Sequence, residues 1–355
     1  MPHNNVYSHS PSSPLLRQAL KNLLPYSIEI NYRIQHANIT PDAHILATFP
    51  QDGEIPFCWA AAYVDRSMRP ETDLWIFARG NVPNHSNGVL SSTDSKAHST
   101  SQFCPTCRKA VLSILDCLST LPVPPLHRDS LPALELAKQH EKEFPETGPD
   151  AKYPAMLKTF YRHLLDENVL TLGACHEGIV KICRDVGVIR EEFPGARSPL
   201  DKFIFKIADL PEARDLPTGL HFREVTEKDV EFIQARAVLP RAKRTLLSLK
   251  SVAVFDEKER PIAWSFLGLD GSLTFLETDP EWRGKGIAKA IASKIFRENA
   301  PGLAMDEQGN AWAHADVYEG NVQSASVCRS LGGQVSWTLF WLRIDVGKAG
   351  QLSYD

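Results

Sequence analysis

Eleven consecutive residues, Thr278-Asp279-Pro280-Glu281-Trp282-Arg283-Gly284-Lys285-Gly286-Ile287-Ala288, have the types and spacing to hold an anion. Gly284 and Gly286 let the main chain approach a ligand closely. Arg283 and Lys285 add positive charge, and Ile287 and Ala288 open a helix whose first N–H groups have no intrahelical acceptor. That helix is read from apolar residues at Ile287, Ala288, Ile291, Ala292 and Ile295, with Lys289, Lys294 and Arg297 on the other face. Before the loop, Ser272 to Thr278 (SLTFLET) reads as a buried strand that Pro280 ends by removing a ladder donor. The spacing excludes two common phosphate loops, since neither G-x-x-x-x-G-K-[ST] nor G-x-G-x-x-G occurs here. A strand, a glycine loop and a helix in this order predict a pyrophosphate cradle.

Other residues could move protons or carry an acyl group. His314 and Asp316 share one face of the strand-like stretch Ala311 to Val317 with Trp312 and Tyr318. An imidazole with its ordinary pKa of about 6.5 suits removal of a proton from an amine, and a hydrogen-bonded structural histidine is the alternative. Glu277 lies on the cradle strand with opposite parity to Ser272 and Thr274, so a regular strand aims it away and a bulge re-aims it. Cys328 falls on an apolar helix face, where a thiol serves as acid, as nucleophile or simply as packing. Cys104-Pro105-Thr106-Cys107 precedes a helical run from Lys109 to Leu118, where a helix N-terminus lowers a thiol pKa. A single C-x-x-C lacks the second pair of a structural zinc site. We therefore expect no metal and two thiols beside a loop.

Several elements must position these groups. His221 to Val225 reads as a strand, Thr226 with Asp229 opens a helix, and Ser251 to Asp256 and Pro261 to Gly268 are strands. Asp270-Gly271 marks a hairpin turn before the cradle strand. Asn321 caps a helix through Ser330, with Val322, Ala325, Cys328 and Leu331 on one face and Gly332-Gly333 closing it. Ser336 to Ile344 is a last strand. In the N-terminal half, Leu15 to Leu24 reads as a helix, and Ser27 to Ile34, Ala43 to Thr48, Cys58 to Val64 and Asp73 to Ala78 read as strands. Helices dominate from Cys107 to about Gly187, with connections at Pro149 to Lys152 and Glu191 to Pro199. Asn84 to Gln102 is too polar to bury and reads as a surface loop. The domains expected are 1–205 and 206–355.

The cradle, Arg-x-x-Gly-x-Ala preceded by Leu276-x-Thr278-x-Pro280, resembles motif A of the GNAT superfamily of CoA-dependent N-acyltransferases. Downstream, Asn321, Ser324, Val327 and Gly332 match that superfamily's N-x-x-[AS]-x-x-L-Y-x-x-x-G-F block. Cys328 stands where many relatives have a tyrosine thought to protonate the CoA thiolate, and Gly333 replaces the phenylalanine. The order β-α-α-β-β-β-α-β-α-β over about 206–346 is that of the GNAT fold. Leu24-Pro25-x-Ser27, the run Ile45 to Pro50, Trp75 to Ala78 and Pro261-Ile262-Ala263-Trp264 are similar to glycine N-acyltransferase-like proteins. The fold expected is α+β, a mixed α/β architecture. It has a C-terminal GNAT fold with a central mixed sheet flanked by helices, and an N-terminal α+β domain that is a degenerate GNAT-like unit. No second R-x-x-G-x-[GA] occurs before residue 200, so the N-terminal half is expected to wall the acceptor pocket rather than to bind CoA.

The resemblance implies acyl-CoA or acetyl-CoA as co-substrate and a small-molecule amine or amino acid as acceptor, attacked directly in a ternary complex. Backbone amides from Arg283 to Ala288 would receive the pyrophosphate, main-chain groups at Leu276 and Thr278 would pair with pantetheine, and Asn321 and Ser324 join the CoA-binding set. The carboxylate or histidine that relatives carry early on the cradle strand is absent, Ser272 and Thr274 standing there. His314, Glu277 and Cys328 are the catalytic candidates. Recruitment to O-acylation or decarboxylation, or a non-catalytic CoA-binding role, stays open.

At 355 residues the chain suffices for two cores. A net charge of −4 without a basic run speaks against nucleic acid. No apolar stretch approaches the roughly 18–20 residues of a membrane span, and the first residues lack a secretion signal. Seven cysteines, an odd number, fit reduced thiols in the cytoplasm. The pattern leaves acceptor, acyl length and oligomeric state open.

Overall fold

The computed structural model describes residues 5–83, 85, 103–144, 160–212, 215–237 and 241–352. The expected loop at 84–102, apart from His85, and the connection at 149–152 lie outside them. In chain order the strands and helices are β1 (Tyr7–Ser8), α1 (Pro14–Lys21), α2 (Ile28–Arg33), β2 (His44–Ala47), β3 (Ala60–Val64), β4 (Leu74–Ala78), α3 (Pro105–Leu118), α4 (Leu131–Glu143), β5 (Val169–His176) and α5 (Glu177–Asp185). They continue with β6 (Leu200–Lys206), β7 (His221–Arg223), α6 (Glu227–Gln234), α7 (Lys243–Ser248), β8 (Ser251–Phe255), β9 (Pro261–Leu267), β10 (Ser272–Thr278), α8 (Ile287–Leu303), β11 (Trp312–Tyr318), α9 (Val322–Ser330) and β12 (Gln334–Asp345).

Two compact units are present. The first comprises Met1–Ala19, Thr40–Pro199 and Thr338–Asp355. In it β1 to β4 pair antiparallel in sequence order, β4 meets β5 in parallel at Leu74↔Leu172, and β5 pairs antiparallel with β12. β3 (AAAYV) and β4 (LWIFA) are buried throughout, as strands covered on both faces must be. Val111, Leu112 and Leu115 of α3 and Ile179 and Cys183 of α5 share one core with Val64, Ile76, Leu172 and Leu342 from the strands.

The second unit comprises Leu20–Ile39 and Leu200–Trp337. It repeats the scheme: β7 to β10 pair antiparallel, β10 lies parallel to β11, and β11 pairs antiparallel with β6 from Trp312↔Lys206 to Tyr318↔Leu200. Ile287, Ile291, Ile295 and Phe296 of α8 are buried against Val252, Val254, Ile262 and Ala315. Each such side chain contributes about 1.5–3 kcal/mol. Val230 and Ile233 of α6 join Ala253, Phe255, Trp264 and Phe266. The Thr226–Asp229 capping box forms as expected. This is the mixed α/β architecture expected, with the same strand scheme in both units. No helix among the described residues is long and apolar enough to cross a membrane.

The units do not follow the chain in order, whereas the division expected at 205/206 did. β6, just before that point, belongs to the second unit, and β12 from Thr338 onward belongs to the first. Two elements also differ from expectation. Ser27 to Ile34, read as a strand, is helix α2, because its polar positions Glu29, Asn31 and Arg33 are as buried as the apolar ones. The alternation therefore did not mark two faces. Within the supposedly helical stretch before Gly187 lies β5, buried at all its positions, where periodicity cannot tell strand from helix.

Candidate active site

β10 and β11 run side by side for only two register pairs, Ser272↔His314 and Leu273↔Ala315. Beyond these, β10 stays with β9 as far as Thr278↔Ala263, and β11 stays with β6 as far as Tyr318↔Leu200. The two strands thus part, and the stretch from Leu276 to Thr278 presents an edge that β11 does not pair. A bulge helps to part them. Thr274 faces Phe266 but Glu277 faces Trp264, so β10 carries one residue more than β9 there. Phe275 in this bulge has φ +56, a conformation costing a side-chain-bearing residue about 1–2 kcal/mol. Its ring lies 6.0 Å from that of Phe266 and 6.5 Å from that of Trp264, and Ser265 Oγ donates to Thr274 O at 3.0 Å. These contacts hold the strained residue.

The glycine loop follows directly. A short 3-10 turn over Pro280–Trp282 leads to Gly284 at φ +75 and Gly286 at φ +82. A Cβ on either would meet nothing within 4 Å, so the requirement is for the left-handed backbone and the space before the loop is open. Gly286 is the N-cap of α8, and Ala290 N–H to Gly286 O at 3.0 Å is a first-turn bond. The N–H groups of Ile287, Ala288 and Lys289 precede it and point out of the helix end. Arg283 bends back: Nε donates to Thr278 O at 2.9 Å and Nη2 meets Glu277 Oε1 at 3.0 Å. Lys285 Nζ sits 4.2 Å from the centre of the Trp282 ring. Asp279 is held by Arg236 at 2.6 Å.

The three candidate proton carriers are not gathered at this opening. Glu277 is turned to Arg283. His314, 1 % exposed, is engaged at both ring nitrogens. Nδ1 accepts from the Lys202 ammonium at 2.8 Å and Nε2 faces Asp270 O at 3.0 Å, the tautomer following from these partners. Neither nitrogen is left for an amine. Lys202 itself is fully buried on β6, 2.8 Å from Glu29 on α2 and 2.5 Å from Asp316. Burial works against its charge, but Asp316 and then Glu29 outweigh it and push its pKa up. Burial likewise opposes ionisation of Asp316, and the Lys202 ammonium, with His314, pulls its pKa down to about 2. Cys328 lies in the core with Ala325 and Leu331. Burial, with Asp316 adding to it, pushes its thiol up to about 12. Its thiol is packed among apolar side chains there.

Asn321 Oδ1 accepts from Ser324 N at 3.1 Å, capping α9 at the end of β11. Leu276, Thr278 and residues Arg283 to Ala288 are consecutive parts of one strand, loop and helix start, so the structure keeps these expected CoA-binding residues together. Sequence reasoning missed Lys202 and Glu29. A lysine inside the apolar strand LDKFIFK was a signal for the first; nothing local announced the second. It also missed two partners of Cys104 and Cys107. Cys58 and His85 converge on that pair, supplying the further ligand types that the C-x-x-C spacing lacked.

Known proteins resemble this chain to different degrees. A protein of Drosophila with a crystal structure is 12% identical, with a TM-score of 0.55 covering 96% of this chain and 98% of that one, a likeness of fold. A tandem GNAT protein from the clavulanic acid biosynthesis pathway is 9% identical at a TM-score of 0.45, covering 96% and 98%. A GCN5-related N-acetyltransferase from Sphaerobacter thermophilus is 12% identical at 0.43, covering 96% and 95%. No curated protein matches the chain at a significant level. Residues 3–203 match the domain described as "Acyl-CoA N-acyltransferase verG N-terminal domain". Since that match takes in more than half of its length, the chain belongs to this family of acyl-CoA N-acyltransferases.

Proposed function

We propose that the protein transfers an acetyl or larger acyl group from acyl-CoA to the amine of a small molecule or amino acid, by direct attack in a ternary complex. The observation that carries this reading is the parting of β10 from β11 beside a glycine loop that opens a helix. When bound, acyl-CoA supplies an acyl group activated as a thioester. The N–H groups from Gly284 to Ala288 and the α8 dipole hold the pyrophosphate. The free edge at Leu276 and Thr278 takes the pantetheine arm as an added strand, and a main-chain N–H there polarises the thioester carbonyl. Arg283 acts by tying the loop to the end of β10, and Lys285 adds charge. Asn321 and Ser324 fix the start of α9 beside the arm. Because His314 is buried and engaged at both nitrogens and Cys328 is buried in the core, proton removal from the amine falls to water, with Glu277 the candidate carboxylate. The buried Trp264 of Pro261–Trp264 supports kinship with glycine N-acyltransferase-like enzymes. Seven free cysteines support a cytoplasmic setting.

The test is binding of acetyl-, benzoyl- and long-chain acyl-CoA by calorimetry, with thiol release measured against a panel of amines. Gly286→Glu places a side chain and a negative charge in the cradle, and is expected to raise KM for acyl-CoA at least about tenfold, or 1.4 kcal/mol, with an unchanged circular dichroism spectrum. Binding indifferent to this substitution, or no binding, sinks the reading. The pairing of Glu277 with Arg283 and the burial of His314 and Cys328 also favour a second one, a CoA-binding protein without turnover, which any amine-dependent thiol release excludes.

A further inference from the structure

We propose that Cys58, His85, Cys104 and Cys107 of the first unit form a structural zinc site. The four come from separated parts of the chain. Cys58 stands two residues before β3, His85 follows the 3-10 turn Arg79–Asn81, Cys104 caps α3 and Cys107 lies in its first turn. Their ligand atoms all lie within 4.8 Å of one another. Cys58 Sγ is 3.5 Å from Cys104 Sγ, and His85 Nε2 is 3.3 Å from Cys58 Sγ and 3.0 Å from Cys107 Sγ. Tetrahedral zinc at about 2.3 Å from sulfur and about 2.0 Å from nitrogen sets its ligand atoms roughly 3.5–3.8 Å apart. Three of the six edges are therefore close to that polyhedron's, and the other ligand atoms lie within 4.8 Å of one another.

Thiols are weak hydrogen-bond partners, so mutual hydrogen bonding is a poor reason for three of them to converge on one imidazole. The donor set selects the metal. Three sulfurs and one ring nitrogen exclude hard cations, which need oxygen, and fall short of the four cysteines of an iron–sulfur cluster. Four protein ligands also close the coordination sphere, as in structural rather than catalytic zinc sites.

The start of α3 favours a thiolate at Cys104. Cys107 N–H donates to Cys104 Sγ at 3.4 Å at the start of a 14-residue helix, whose dipole stabilises negative charge. Burial opposes ionisation of Cys58 and Cys107, while at Cys104 it is outweighed by hydrogen bonds from the Cys107 N–H and the neighbouring thiols. A bound dication deprotonates all three, each thiol releasing its proton to solvent. The resulting charge of −1 faces Arg79, whose field already acts on Cys58 and His85. Phe57 stacks on the His85 ring, 4.6 Å between centres and 19° between planes, and fixes its orientation.

The place in the fold gives the site a meaning. α3 follows β4 and precedes β5, the parallel partner of β4, as α8 stands between β10 and β11. At the start of α8 the chain puts two left-handed glycines and open space; at the start of α3 it puts sulfur ligands. The helix end that takes an anion in the full unit is thus filled, in the degenerate unit, by the chain's own thiolates and a metal. It also joins the two ends of the stretch between residues 85 and 104.

The test uses the full chain, purified from zinc-supplemented culture under reducing, chelator-free conditions. Elemental analysis should find about one zinc per chain, and cobalt added to the apoprotein should give the strong visible bands of a tetrahedral, thiolate-rich site. Cys104→Ser and His85→Ala should each lower zinc content to below about a tenth of this, while Cys117→Ser, outside the cluster, leaves it unchanged. Removal of the metal should lower Tm. Less than about a fifth of an equivalent of zinc together with colourless cobalt protein would overturn the proposal. So would a Cys58–Cys104 disulfide mapped in protein kept anaerobic. Stoichiometry and spectrum are read on the unaltered chain, so a variant that fails to fold does not remove the test.

Discussion

At the scale of single residues, charge is concentrated where water is excluded. Lys202, Glu29, Asp316 and His314 form one buried network, in which Lys202 is the shared partner of the other three. Lys202→Met deletes the only cation facing both carboxylates among the described ion pairs, and breaking a buried pair in this way costs about 3–5 kcal/mol. We expect a markedly lower urea midpoint, whereas the pH profile of any remaining turnover keeps its shape, since both His314 ring nitrogens are already engaged within the protein. A shifted profile would instead return His314 to catalysis. Asp316 also gives the sign of the acid response. Its folded pKa of about 2 lies below the unfolded value of about 3.9. Its stabilisation is therefore full above about pH 4 and is lost as pH falls toward 2. Acid titration of Asp316→Asn should lack that component. Residue types were legible here, His314 and Asp316 sharing a face by parity. Their partners were not, because Lys202 and Glu29 are brought in by β6 and α2 from distant parts of the chain.

At the scale of elements, the cradle was readable because strand, loop and helix are contiguous, and each has its own local signal: β-branched residues, then Pro280 and glycines, then a 3.6-residue apolar repeat. The bulge that parts β10 from β11 was not readable, since it depends on Phe275 accepting a positive φ against Phe266 and Trp264. That bulge decides what Glu277 does. Its carboxylate meets Arg283, and Arg283 also holds Thr278 O, so the pair shapes the loop. Both side chains are partly exposed, 37 % and 54 %, so the ion pair by itself contributes little to stability. Glu277→Gln is accordingly expected to raise KM for acyl-CoA by about three- to tenfold through a looser Arg283, with kcat nearly unchanged. Loss of kcat with the acid limb of the pH profile would identify Glu277 as the base instead. α2 and β5 were misread for a shared reason: burial on every side erases the period on which the reading relies.

At the scale of the whole molecule, sequence order and compactness disagree, and this makes the last prediction. A chain cut at the domain boundary suggested by sequence would begin at residue 206, keeping the cradle, β11 and α9. It would lack Leu20–Ile39 and nearly all of β6, which belong to the same compact unit. β11 would then lose its partner from Ala313↔Phe205 to Tyr318↔Leu200, becoming a long open edge on the side away from β10. Unpaired edges of this kind template aggregation. The cut would also remove Lys202 and Glu29 while leaving Asp316 and His314 behind, an uncompensated buried carboxylate beside an imidazole that has lost its donor. The complementary fragment 1–205 fares no better, since β5 would be without the antiparallel partner it has in β12 from Leu339 to Asp345. Neither half should therefore give a cooperative unfolding transition alone, and both should appear in the insoluble fraction. Co-expression of 1–205 with 206–355 supplies every missing strand and should recover soluble material that elutes as one species. A monomeric, cooperatively folding 206–355 fragment would show that β11 does not need β6, and the two units would then have to be redrawn along the chain.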